Sequence, residues 1–193
     1  MNWLAHVALS NNETKHQLGN LIADVVKGRS WEGMPEASIR GMETHLRIDT
    51  FTDANPIVKR CMSRLGDTGK LRSVVIDITF DHMLTKNWDK FHDIPLRAFL
   101  DQFYRNAKPI IQDFPDEAKS FVESVIEQDR LGLYAEPNSV LDALYRIDAR
   151  LSARLRKKEL ASSHFTSVQE NYKEIEADFL EFYPLLSEHA KGV

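Results

Sequence analysis

The sequence predicts an all-α fold, a multi-helix bundle contained in a single domain of 193 residues. Three observations carry that prediction. Apolar residues recur at spacings of three and four, and no window alternates strictly between apolar and polar as a half-buried strand would. Glycines and prolines divide the chain into helix-sized pieces. A chain of this length can bury a full core yet stays within the usual size of one domain.

Taken in order, the chain opens on Trp3-Leu4-Ala5-His6-Val7-Ala8-Leu9, an apolar run in which His6 is the lone polar residue. Leu18, Leu21, Ile22, Val25 and Val26 then recur at i, i+3, i+4, i+7 and i+8, with Gly28 placed as a left-handed cap, which predicts a helix from about Asn12 to Lys27. A second helix opens after Pro35, carries Ile39, Met42, His45 and Asp49, and must end before Pro56, because the residue preceding a proline is pushed out of the α region. A third is expected from Arg72 to Trp88. Later helices are expected over Leu96 to Gln112, Pro115 to Arg130 and Val140 to Lys158, with a closing helix that reaches Tyr183 and Pro184. No internal repeat, linker or low-complexity tract interrupts them.

The formal net charge of −4 is small and no long run of one sign occurs, which argues against a general nucleic-acid or membrane binder. The start lacks a basic leader and no segment is apolar enough to cross a bilayer, so a cytoplasmic protein is expected. Cys61 is the only cysteine, reads as an ordinary buried thiol, and has no partner for an internal disulfide.

Two segments break the apolar pattern. In Ser73-Val-Val-Ile-Asp-Ile-Thr-Phe-Asp-His-Met-Leu, Asp77 and Asp81 stand one turn apart inside an apolar stripe, followed by His82. A carboxylate taken from water into a core needs a metal, an arginine or several donors as partner. Structural ion pairs with arginine are the alternative there. In the second helix His45, Asp49 and Asp53 advance by four and share a stripe, half of a metal site, although Asp53 before Ala-Asn-Pro serves equally well as a helix terminator. By periodicity alone Asp24 is left in solvent, and His6 reads as a core histidine bonded to a carbonyl. No thiolate spacing, glycine-rich phosphate loop or serine-nucleophile elbow is present. His and Asp residues scattered over separate helices are how metal sites are built inside helical bundles, and the chemistry they favour is metal-assisted hydrolysis.

The blocks Met1-Asn2-Trp3-Leu4-Ala5-His6, Gly19-Asn20-Leu21-Ile22-Ala23-Asp24 with Gly28, His45-Leu46-Arg47-Ile48-Asp49 with Thr52-Asp53, Asp77 with Asp81-His82, and Phe182-Tyr183-Pro184 resemble, in this order, the acyl-carrier-protein phosphodiesterases. These are divergent members of the HD phosphatase and phosphodiesterase superfamily. The superfamily's adjacent His-Asp pair is reversed here as Asp81-His82. The resemblance implies an HD-domain-like helical bundle and a divalent metal, Mn²⁺ or Mg²⁺. Its ligands are expected to be His6, Asp24, Asp77 and Asp81, with His45, Asp49 and His82 around it or in proton transfer, and with Arg47 offsetting phosphoryl charge. The implied reaction removes 4′-phosphopantetheine from holo acyl carrier protein and leaves the apo form. For such an acidic protein partner, Arg146, Arg150 and Arg154 at i, i+4 and i+8 are the expected docking stripe, although the same pattern fits a solvated helix face. An HD-type hydrolase of a nucleotide or other small phosphoester is the competing enzyme. A helical interaction protein with structural acids is the non-enzymatic alternative.

Overall fold

In the computed structural model, which describes residues 1–191, every regular element among the described residues is helical. The elements are α1 (Trp3–Ala8), α2 (Thr14–Ile22), α3 (Glu36–Ala54), α4 (Pro56–Arg64), α5 (Arg72–Lys86), α6 (Leu96–Ile110), α7 (Asp116–Glu127), α8 (Pro137–Arg150), α9 (Ala153–Arg156), α10 (Phe165–Glu170) and α11 (Tyr172–Lys191). The all-α expectation holds, and no helix among the described residues is long and apolar enough to cross a membrane.

Pro35 and Pro56 set the boundaries of the second expected helix as anticipated, and Asn55 adds a cap. Glu36 starts α3 directly after Pro35, and Asn55 stops it in an extended conformation before Pro56. The Asn55 side chain then accepts the Ile57 N–H at 2.9 Å and, with Pro56 in the first turn, opens α4 at once. Helix α5 is buried over most of its length, with Thr79, Asp81 and His82 enclosed among its apolar residues. Phe80 on α5 packs with Phe179 and Phe182 of α11 at ring separations of 5.3 and 5.7 Å. Each of these rings is fully buried, contributing roughly 1.5–3 kcal/mol. Asp178 locks α11 to α4: its carboxylate accepts Arg60 Nε at 2.9 Å, Arg64 Nε at 3.0 Å and the Cys61 thiol at 3.3 Å. Burial, and then the neighbouring Asp178 charge, push the Cys61 thiol up, which makes it an inert core group.

Three expectations are corrected. The helix expected to run to Lys27 is regular only to Ile22. It continues as looser turns, and Lys27 and Gly28 at φ +52° and +67° end it, with the Gly28 N–H returning to Ala23 O at 2.9 Å. The helix expected over Val140 to Lys158 is broken at Leu151, whose backbone is extended. The buried Asp148 carboxylate accepts the N–H groups of Ala161 and Ser162, and Ser152 caps a separate short α9, so the chain folds back instead of running on. Arg154 therefore does not share a helix with Arg146 and Arg150. Trp3–Ala8 and Pro56–Arg64 are helices, α1 and α4, where none was expected.

Helices α2 and α3 approach each other closely at two glycines. A side-chain carbon on Gly19 would collide with the Ser38 carbonyl, and one on Gly41 with the His16 carbonyl. Both positions lack a Cβ for that reason. The contact brings the backbone of Asn20 against α3.

Candidate metal centre

Asn20 is the hub of the site, and it is fully buried. Its amide nitrogen donates to His6 O at 2.8 Å and to Ser10 Oγ at 2.9 Å, which fixes the orientation of the amide. Its Oδ1, an acceptor only, therefore receives the proton of His6 Nδ1 at 2.8 Å. The backbone carbonyl of the same residue receives the proton of His45 Nδ1 at 2.9 Å. Both imidazoles thus carry their hydrogen on Nδ1 when neutral, and both Nε2 lone pairs are free. The rings stack at 4.0 Å, so the two Nε2 atoms lie side by side.

They converge on Asp49. His6 Nε2 lies 3.2 Å from Asp49 Oδ1, and His45 Nε2 lies 3.0 Å from Oδ2 and 3.3 Å from Asp24 Oδ1. His6 Nε2 also sits 3.2 Å from the Met1 carbonyl. These contacts set lone pairs against lone pairs unless a cation intervenes. His45 Nε2 is buried, and although the carboxylates are near, it forms no well-aligned hydrogen bond with either. One donor atom each from His6, His45 and Asp49 lies within 4.8 Å of the others. Two imidazole nitrogens and a carboxylate brought together, one of the nitrogens buried without a hydrogen-bond partner, fit a divalent first-row ion.

The electrostatics show the same demand for positive charge. Burial opposes protonation of His45, but Asp24 and Asp49 outweigh it and raise the imidazole to about 9. Burial lowers His6, helped by the charge of its neighbour His45. Asp49 is held far below the usual carboxylate range because the two histidines overcome its burial, and Asp24 is lowered chiefly by His45. A proton on His45 fills the role a metal would fill, so the two compete. Asp24 stands at the mouth with 79 % of its side chain exposed, while the histidines are almost wholly enclosed behind it.

The remaining expected residues are placed differently. Asp77 accepts the Met1 amino group at 3.0 Å, and that amino group is 3.9 Å from Asp49, which sets Asp77 one step beyond the cluster. Asp81 is fully buried and uses both oxygens on the N–H groups of Leu4 and Ala5, at 2.9 and 3.2 Å. It supplies the N-terminal cap that α1 lacks in its own sequence, and it holds the helix that carries His6. Its burial raises it to about 7, against the pull of those two N–H groups. His82 Nδ1 donates to Tyr134 O at 2.7 Å and Nε2 meets the Tyr172 hydroxyl at 2.8 Å, which engages both ring nitrogens away from the cluster. Arg47 donates to Thr44 Oγ1 at 2.9 Å and lines a separate groove of about 950 Å³ with His16 and His92. Asp53 is exposed. Asn20 is the residue that sequence patterns alone leave unassigned. Its signal is a polar side chain between Leu18 and the Leu21-Ile22 pair in the apolar stripe of α2.

The chain matches, over residues 1–186, the family model described as acyl carrier protein phosphodiesterase. A protein named acyl carrier protein phosphodiesterase from Photorhabdus laumondii is 31 % identical over 197 aligned positions, covering 100 % of this chain and 96 % of the relative. Relatives of the same name from Yersinia pestis and Pectobacterium atrosepticum are 30 % and 28 % identical, each covering 99 % of this chain and 98 % of its own length. No solved structure matches the chain.

Proposed function

The chain belongs to the acyl carrier protein phosphodiesterase family, and from that premise we propose that it removes 4′-phosphopantetheine from holo acyl carrier protein by metal-dependent hydrolysis. The observation that supports the metal is the pair of imidazoles locked by Asn20, with both Nε2 atoms turned toward Asp49. His6, His45 and Asp49 would hold the ion, Asp24 at the mouth would complete the donor set, and Asp77 would stand one step away, on the Met1 amino group. Such a mixed nitrogen and oxygen set suits Mn²⁺ better than the all-oxygen preference of Mg²⁺. When bound, the ion supplies Lewis acidity toward a phosphoryl oxygen and acidifies water.

The chain's own residues provide placement. Asn20 holds the two imidazoles in the tautomer that presents Nε2, and Asp81 anchors α1 so that His6 stays against His45. Enclosure of the histidines keeps water from their inner faces, while exposure of Asp24 leaves one side open to a bulky substrate. In this reading His82 and Arg47 stand outside the reacting group, because both ring nitrogens of His82 serve Tyr134 and Tyr172, and Arg47 donates to Thr44 and lines the separate groove. Arg146 and Arg150, exposed on α8, and Arg154 on α9 would meet the acidic surface of the carrier protein.

The test is incubation with holo carrier protein and Mn²⁺, followed by mass spectrometry. Loss of the phosphopantetheine mass from the carrier, abolished by Asp49→Ala and by chelation, is expected. An unchanged carrier mass beside rapid turnover of a nucleotide or other small phosphoester would overturn the substrate assignment.

A further inference from the structure

A second polar site adjoins the N-terminal segment at Asn2 and Trp3. Trp3, Tyr134, Gln128, Arg130, Arg146 and Arg150 line a recess of about 120 Å³ that contains no acidic side chain in its wall. Arg130 follows α7 and is half-buried, with its guanidinium over the Trp3 ring at 5.9 Å and its Nε on the Gln128 side chain at 3.0 Å. Arg146 and Arg150 stand one turn apart on α8. Three arginines therefore line one small space with no counter-charge among the lining residues. Arg130 is held below its ordinary basicity by burial and then by the charges of Arg150 and Arg146. That is a repulsive arrangement, and the stacking on Trp3 returns only about 0.5–1 kcal/mol at a partly exposed position.

We propose that Arg130, Arg146 and Arg150 form an oxyanion recess that takes a phosphate group, separate from the histidine and aspartate cluster. One carboxylate would leave most of the charge of three guanidiniums unmatched. A phosphate monoester brings nearly two negative charges and three strong acceptor oxygens, which is what forked N–H donors around one space recognise. The volume equals that of about four waters, on the scale of one phosphate group. Asn2 and Ile78 also line the recess, and each lies one residue from the Met1–Asp77 contact, so the recess adjoins the proposed metal centre without sharing a residue with it. The inference stands independently of the hydrolase reading.

The test is calorimetric titration of the full chain with inorganic phosphate, and in parallel with free phosphopantetheine, at ionic strength held constant with chloride. Both arms are run on the wild type, Arg130→Gln, Arg150→Gln and Asp49→Asn. Phosphate binding is expected in the wild type, weakened about tenfold or more by either arginine change and kept by Asp49→Asn. Equal affinity for the two ligands would mean that the phosphate group alone is read. Tighter binding of phosphopantetheine, lost in Arg150→Gln, would mean that the recess holds the phosphate of that arm. Arg150 is exposed, so its variant keeps the fold even if loss of Arg130 disturbs Trp3. Absence of phosphate binding, or binding unaltered in both arginine variants, or binding lost only in Asp49→Asn, overturns the proposal.

Discussion

Replacing Asn20 with alanine removes the group that sets the His6 tautomer and leaves the proposed metal ligands in place. The side chain makes three hydrogen bonds, two of them buried, to His6 Nδ1 and His6 O at 2.8 Å each, and one partly buried, to Ser10 Oγ at 2.9 Å. At about 1 kcal/mol each their loss puts the destabilisation near 3 kcal/mol, and for a chain of this size that lowers the melting temperature by roughly 6–12 °C. Removing a group that orients a metal-bound imidazole weakens metal affinity by about 10–100-fold. His45 should be spared, because it is held by the backbone carbonyl of Asn20, which alanine retains. The assay pairs thermal unfolding of the metal-free variant with Mn²⁺ titration calorimetry at a temperature where the variant is fully folded. His6→Ala is the reference and should lose more affinity than Asn20→Ala. If Asn20→Ala melts early yet binds Mn²⁺ as tightly as wild type, Asn20 is a core hydrogen-bonding residue and the presentation of Nε2 does not depend on it.

Gly41→Ala should destabilise by about 2 kcal/mol or more and loosen Mn²⁺ binding as well, since the added carbon drives α2 from α3; a variant that melts with the wild type would show that the two helices can separate without cost. Asp178 is held below its ordinary range because Arg60, Arg64 and the Cys61 thiol outweigh its burial, so its contribution is present above the unfolded value near 4 and lost as pH falls through the lower folded value. Denaturant midpoints measured from pH 6 down to pH 2 should fall more steeply for wild type than for Asp178→Asn, and parallel curves would contradict this. His82→Gln should cost stability through the lost Tyr134 and Tyr172 contacts while leaving hydrolysis of holo carrier protein within a few-fold of wild type; loss of turnover in a folded variant would return His82 to the reaction. Reversing Arg146 and Arg150 to glutamate should raise KM for the carrier with kcat kept, whereas Arg154→Glu on its separate helix should do less; equal effects would restore a continuous stripe.

The sequence by itself determined the helical class, the break at Pro56, the end at Gly28, and the His45–Asp49 pair, because each follows from local backbone restriction or from the 3.6-residue period. Its period also put Asp77 and Asp81 in one stripe and required partners for them. It did not say which partners, since a helical period orders residues along one helix and carries no information about the element packed against it. The tertiary structure decided that Asp77 meets the Met1 amino group and Asp81 the first N–H groups of α1. Likewise His6, which reads locally as a core histidine, joins His45 only because glycines 19 and 41 let α2 and α3 close until Asn20 reaches both rings. The arginine stripe failed for the converse reason. Its period was sound up to Arg150, but Asp148 takes the N–H groups of Ala161 and Ser162, a long-range demand that ends the helix and puts Arg130, not Arg154, beside Arg146 and Arg150.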